Sequence, residues 1–197
     1  MPSWAMVTTG DLLNDEQWSL LETAHPREHP SVYDEVLLEV TARAASKGSL
    51  GNADIGTLLF WKRLQANTPW ARGLNMTPES EVRRHTKAAL QAVNDESLSP
   101  HDAAVAGREA LRPLPGFRHG AALPSAVLLA AAPKRMAVYD RRALSSLHSF
   151  GIELAANWYG KYIEILDDLA TEHNRRTGGD WNPGDVDLAL FWLDGQK

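Results

Sequence analysis

The stretch LRPLPGFRHGAALPSAVLLAAAPKRMAVYDRRAL, residues 111–144, decides the fold. It turns at Leu114, Pro115 and Gly116, then enters an alanine-rich apolar segment that reads as a short helix from about Ala121 to Ala132. Pro133 stops that segment, because proline removes a backbone donor and cannot continue a helix. A loop then delivers Asp140 directly ahead of Arg141 and Arg142 and a further helix. A carboxylate in that position suits an N-cap, accepting from an N–H of the first turn. It equally suits a site carboxylate kept ionised by two cations. Both roles stand open from the sequence.

Outward from this stretch the apolar period is helical. In TPESEVRRHTKAALQAV, residues Val82, Thr86, Ala89, Leu90 and Val93 share one face, with Thr77 and Pro78 expected as N-cap and N1 proline. Ser99 and Pro100 repeat that start signal for a helix running to about Leu111, with Asp102 favouring the positive end of its dipole. Trp158, Tyr162, Ile165, Leu166 and Leu169 form a third stripe closed by Gly178 and Gly179. A fourth helix begins at Asn182 and Pro183 and lines up Val186, Ala189, Leu190 and Leu193. SVYDEVLLEVTARAA (31–45) and ADIGTLLFWKRLQ (53–65) also read as helices, and no sustained period-2 run competes. The expected class is all-α, a single multi-helix domain. Residues 1–50 form an N-terminal arm with the first helices, and 51–197 form the core.

Composition narrows the chemistry. With 197 residues and 44% hydrophobic content the chain can bury one substantial core. It has no cysteine, which excludes disulfides, thiolate nucleophiles and cysteine-ligated metals. No run approaches the roughly 18 apolar residues of a membrane span, and MPSWAMVTTGDLLNDEQW lacks a signal-peptide pattern, so a cytoplasmic protein without a membrane partner is expected. Net charge is −5, yet from Arg108 to Arg142 seven Lys or Arg face two acids. That segment is therefore +5 and the remainder −10, leaving room for a locally basic face.

The order of a helix ending near Leu111, an LPG turn, a second short helix and an aspartate before a further helix resembles the helix-hairpin-helix DNA glycosylases. Within them it looks closest to a small bacterial branch with an oxoguanine-DNA-glycosylase fold. LLFWKRL (58–64) is similar to that branch's apolar–Trp–Lys segment and DVDLALFWL (185–193) to its closing helix, so the likeness spans about residues 52–195. The resemblance implies two helical lobes, a DNA partner, and a nucleotide swung out of the duplex so that its glycosidic bond can be reached. It implies Asp140 as the catalytic carboxylate, stabilising positive charge that develops on the sugar or helping water attack. Gly116, Arg118, His119 and Gly120, with Arg135, Arg141 and Arg142, would contact DNA, and Trp61, Lys62 and Trp181 are candidates for the base pocket.

Three residues, Phe117, Arg118 and His119, separate Gly116 from Gly120 here, where the family's hairpin has one. Strand-cutting members carry a lysine at the start of the second hairpin helix, whereas residues 121–125 read Ala-Ala-Leu-Pro-Ser. The expected reaction is therefore monofunctional base excision with water as acceptor, without cofactor. A non-catalytic DNA-binding or partner-binding module on the same scaffold is the alternative, and a basic face meeting an acidic protein surface is a third reading.

Simpler roles stand beside these. Trp61, Trp158, Trp181 and Trp192 at helical spacing suit the core. Seven histidines, including His25 and His29, show no metal-binding spacing, and no metal is expected. Ser125 lacks a nucleophile-elbow motif and suits helix packing. Arg83, Arg84 and Lys87 suit a solvated face paired with Glu79 and Glu81.

Overall fold

The computed structural model describes residues 12–26 and 31–195. Among these it holds ten helices and no strand: α1 (Asp15–Ala24), α2 (Ser31–Lys47), α3 (Asn52–Trp61), α4 (Pro69–Met76), α5 (Glu79–Val93), α6 (Pro100–Leu111), α7 (Ala122–Ala131), α8 (Arg141–Ser149), α9 (Tyr159–Thr177) and α10 (Pro183–Asp194). The all-α class is as expected. His29, and most of the N-terminal segment read for a targeting signal, lie outside the described residues.

The punctuation explains most boundaries. Ser99 accepts from the Asp102 N–H at 3.0 Å at the start of α6, Asn182 accepts from the Gly184 N–H at 2.8 Å at the start of α10, and Gly178 closes α9 at φ 72°. One cap is corrected. Thr77 does not start α5; its hydroxyl donates to the Gly73 carbonyl at 3.0 Å and closes α4, leaving Pro78 as the N-cap of α5. Helix α4 is not among the expected helices, although Thr68 and Pro69 give it the same start signal used elsewhere, with Thr68 accepting from the Ala71 N–H at 3.3 Å. Trp158 falls outside its expected stripe: it precedes α9 and is 48% exposed, while Tyr162, Ile165, Leu166 and Leu169 are buried.

The apolar helix predicted at 121–132 becomes the centre of the molecule. α7 has no polar face, and Leu123, Pro124, Ser125, Ala126, Val127, Leu128 and Ala130 are all buried, as a helix apolar all round requires. Helices α2, α3, α5 and α6 pack around it. Gly107 lets α6 approach closely, because a Cβ there would lie 2.7 Å from Val93 and 2.9 Å from Leu128. A second group forms on α10, which packs with α1, α8 and α9, and α6 against α9 joins the two groups. One buried hydrophobic cluster runs through both, from Leu13 to Leu190. Among the described residues no helix is long and apolar enough to cross a membrane.

Candidate functional site

The segment between α7 and α8 turns at residues 133–135, then runs without regular structure to Asp140, and is tightly held. The Ser125 hydroxyl, fully buried, accepts from the Tyr139 N–H at 2.9 Å and donates to the Ala122 carbonyl at 3.0 Å. From α9, the Tyr159 hydroxyl donates to the Ala137 carbonyl at 2.9 Å. The Tyr139 hydroxyl in turn accepts from the Asn157 N–H at 2.9 Å, and its ring meets Tyr162 edge-on at 5.2 Å. Ser125 is thus a packing serine that fixes the residue next to Asp140.

Asp140 is the N-cap of α8 and accepts from the Arg142 N–H at 2.9 Å. Its other oxygen accepts from the Lys62 ammonium. Lys62 stands at the end of α3, where Arg63 adopts φ 55° and the Leu64 N–H returns to the Leu59 carbonyl, a reversal that accompanies the end of the helix. Burial works to raise the Asp140 carboxyl, but the bond and charge of Lys62, the Arg142 N–H and the Arg142 charge outweigh it. The carboxyl is held below the usual aspartate range and is ionised at neutral pH.

These two residues line a cleft of about 1140 Å³. Its walls combine Trp61 from α3, residues 138–142, and Asp187, Phe191 and Trp192 from α10, so it lies where the α7 and α10 groups meet. The indole N–H of Trp61 donates to Asp34 at 3.0 Å, which fixes that ring as a wall. Arg142 stacks over the Phe191 ring at 4.1 Å and reaches Asp194 at 3.6 Å, closing the α8–α10 seam. The lining mixes acids, Asp34, Asp140, Asp187 and Asp194, with cations, Lys62, Arg63, Arg141 and Arg142.

Asp187 was not anticipated. Its carboxyl accepts from the Tyr162 hydroxyl, itself fully buried, and from the Val138 N–H. Burial, reinforced by Asp140, pushes it up to about 7 against the opposing pull of Tyr162, Lys62 and the Val138 N–H. The available signal was a carboxylate inside the otherwise apolar run VDLALFWL.

The other candidates separate. Arg141 is exposed on the cleft wall, and Arg118 and His119 are exposed on the turn but do not line the cleft. Gly116, at φ 90°, lies under Trp70, whose ring a Cβ would meet at 2.2 Å, while Gly120, at φ 79°, has open space where a Cβ would be. Arg135 turns inward and donates to the carbonyls of Val93, Asp95 and Leu98 at 2.8, 2.9 and 2.8 Å. Arg108 donates to the Asn157 and Gly120 carbonyls, and Arg112 pairs with Glu109. The +5 segment therefore spends much of its charge on intramolecular bonds instead of presenting one cationic face. Trp181 is stacked between His173, at 3.7 Å, and His25, at 4.8 Å, away from the cleft. Arg83 pairs with Glu79 at 2.7 Å as expected, whereas Arg84 instead contacts His85.

Among the described residues no three His, Asp or Glu side chains are grouped to hold a metal ion. Comparison with protein-family models, curated proteins and solved structures finds no match to this chain.

Proposed function

We propose that the protein is a cytoplasmic, monofunctional DNA glycosylase of the helix-hairpin-helix type, hydrolysing an N-glycosidic bond of a nucleotide swung out of its duplex. The observation that carries this reading is Asp140, a carboxylate kept ionised by Lys62 in a cleft large enough for one nucleotide and walled by Trp61, Tyr139, Phe191 and Trp192. Aromatic walls offer π-faces to a base, and a fixed carboxylate in a partly dry site stabilises positive charge on the sugar as the bond breaks. Water then adds to C1′ and the base leaves with the bonding electron pair. The exposed cations Arg118 and Arg141 are the proposed phosphate contacts.

The test is excision from a panel of duplexes carrying damaged or modified bases, with wild type and Asp140→Asn. Excision by wild type that falls by at least about 100-fold in the variant, with binding retained, supports the reading. Borohydride trapping is expected to yield no covalent complex; a complex abolished by Lys62→Ala would make Lys62 a nucleophile and overturn the monofunctional assignment. The acids among the cations of the cleft and the inward-turned Arg135 favour, as second reading, a binding module without chemistry. Salt-sensitive duplex binding without any excision by wild type supports that alternative.

A further inference from the structure

Asp140 shares its cleft with a carboxyl from another helix. Asp187 comes from α10 and lines the same cavity. Its carboxyl is held by the Tyr162 hydroxyl and the Val138 N–H, so its position is fixed by α9 and by the segment that also ends in Asp140. The groups facing it are Lys62 from the end of α3, Asp140 from the start of α8, and Tyr159 and Tyr162 from α9. On the α1 side of α10, His25 pairs with the neighbouring Asp185 at 3.7 Å. Lys62 thus forms an ion pair with Asp140 while Asp187 is bonded by neutral donors, so two of the carboxyls lining the cleft stand in unlike surroundings.

Resting on the glycosylase reading, we infer that Asp187 is the general acid of this site, the group that protonates the departing base. The proton balance closes within the cleft. As the C1′–N bond breaks, its electron pair goes to the base nitrogen, which takes the proton from the Asp187 carboxyl. Water forms the new C1′–O bond beside Asp140, and the proton it loses returns to Asp187, so the products are the free base and the sugar hydroxyl. Two titratable groups pushed apart by their environments, one lowered below the ordinary range and one raised to about 7, are the pattern of an acid paired with an electrostatic stabiliser. Tyr162 is the positioning residue: it touches Asp187 and not the cleft.

The experiment is a single-turnover excision profile against pH for wild type, Asp187→Asn and Tyr162→Phe, using the best duplex of the panel, with a carbon-13 NMR titration of aspartate carboxyls in parallel. The expected wild-type rate falls as pH rises through about 7, the limb disappears in Asp187→Asn, and that variant loses about 10²–10⁴-fold in rate. Tyr162→Phe retains Asp187 and is expected to shift the midpoint of the limb without abolishing it. One carboxyl resonance, absent in Asp187→Asn, is expected to titrate near 7 in wild type. Wild-type activity with an unchanged rate and limb in Asp187→Asn overturns the acid role and leaves the glycosylase reading standing. A resonance for Asp187 in the ordinary carboxylate range also overturns it. No excision by wild type on any duplex defeats the underlying reading, and this assignment with it.

Discussion

The Lys62 ammonium is bonded to the Asp140 carboxylate across 78 residues of chain, with both side chains largely withdrawn from solvent at 13% and 21% exposure. This pair ties the end of α3 to the start of α8 and sets the charge of the cleft. Removing one member leaves the other as a partly buried, uncompensated charge, which costs more than the pair itself contributes.

Lys62→Met is accordingly expected to lower stability by about 2–4 kcal/mol in urea denaturation. The double variant Lys62→Met, Asp140→Asn is expected to lose less than the sum of the single losses, because neither charge is then stranded. Simple additivity would show that the pair is not coupled.

Asp140 has two roles that substitution can divide. Asn retains an oxygen for the Arg142 N–H and Ala does not, so Asp140→Ala is expected to be about 1 kcal/mol less stable than Asp140→Asn. Both are expected to lose excision alike, because both lack the charge. Thermal unfolding read beside single-turnover rates separates the cap from the chemistry.

The two carboxyls give opposite pH dependences of stability. Asp187, raised to about 7 from an ordinary 3.8, contributes stability that is complete below 3.8 and lost as pH rises through about 7. Asp140, held below 3.8, contributes stability present above that value and lost as pH falls further. Asp187→Asn mimics the protonated acid and is expected to gain on wild type by about 1–3 kcal/mol at pH 8 relative to their difference at pH 4. Parallel curves from pH 4 to 8 would contradict a raised Asp187.

Two arginines of the same basic segment are expected to behave differently. Arg135→Ala removes three bonds to the carbonyls of Val93, Asp95 and Leu98 and should cost about 2–3 kcal/mol of stability, with little change in the salt dependence of duplex binding. Arg141→Ala should leave stability within about 0.5 kcal/mol and reduce the slope of log affinity against log salt by about 1. A salt slope altered by Arg135→Ala and untouched by Arg141→Ala would reverse the assignment.

Much of the helical plan was legible in the sequence because it rests on local chemistry. Apolar period, serine and asparagine caps, N1 prolines and Gly178 are decided within a turn or two of chain, and they place α6, α9 and α10 as found. Thr77 misled for the same local reason: its hydroxyl can serve the helix before it or the one after it, and only the backbone path of α4 chooses.

By itself, then, the sequence determined an all-α chain with an apolar helix near 121–132 and a carboxylate delivered behind Pro133. What surrounds that carboxylate was decided by tertiary structure, since Lys62, Asp187, Tyr162 and Ser125 come from four other helices or their ends and meet only when α7 and α10 gather their neighbours. The same packing turned Arg135 and Trp181 away from the cleft. A guanidinium satisfies nearby carbonyls, and an indole stacks on the rings beside it, wherever the fold supplies them. The physical reason is range: caps and periodicity are properties of neighbours in sequence, whereas burial, ion pairing and the protonation of a carboxyl depend on groups brought together from distant parts of the chain.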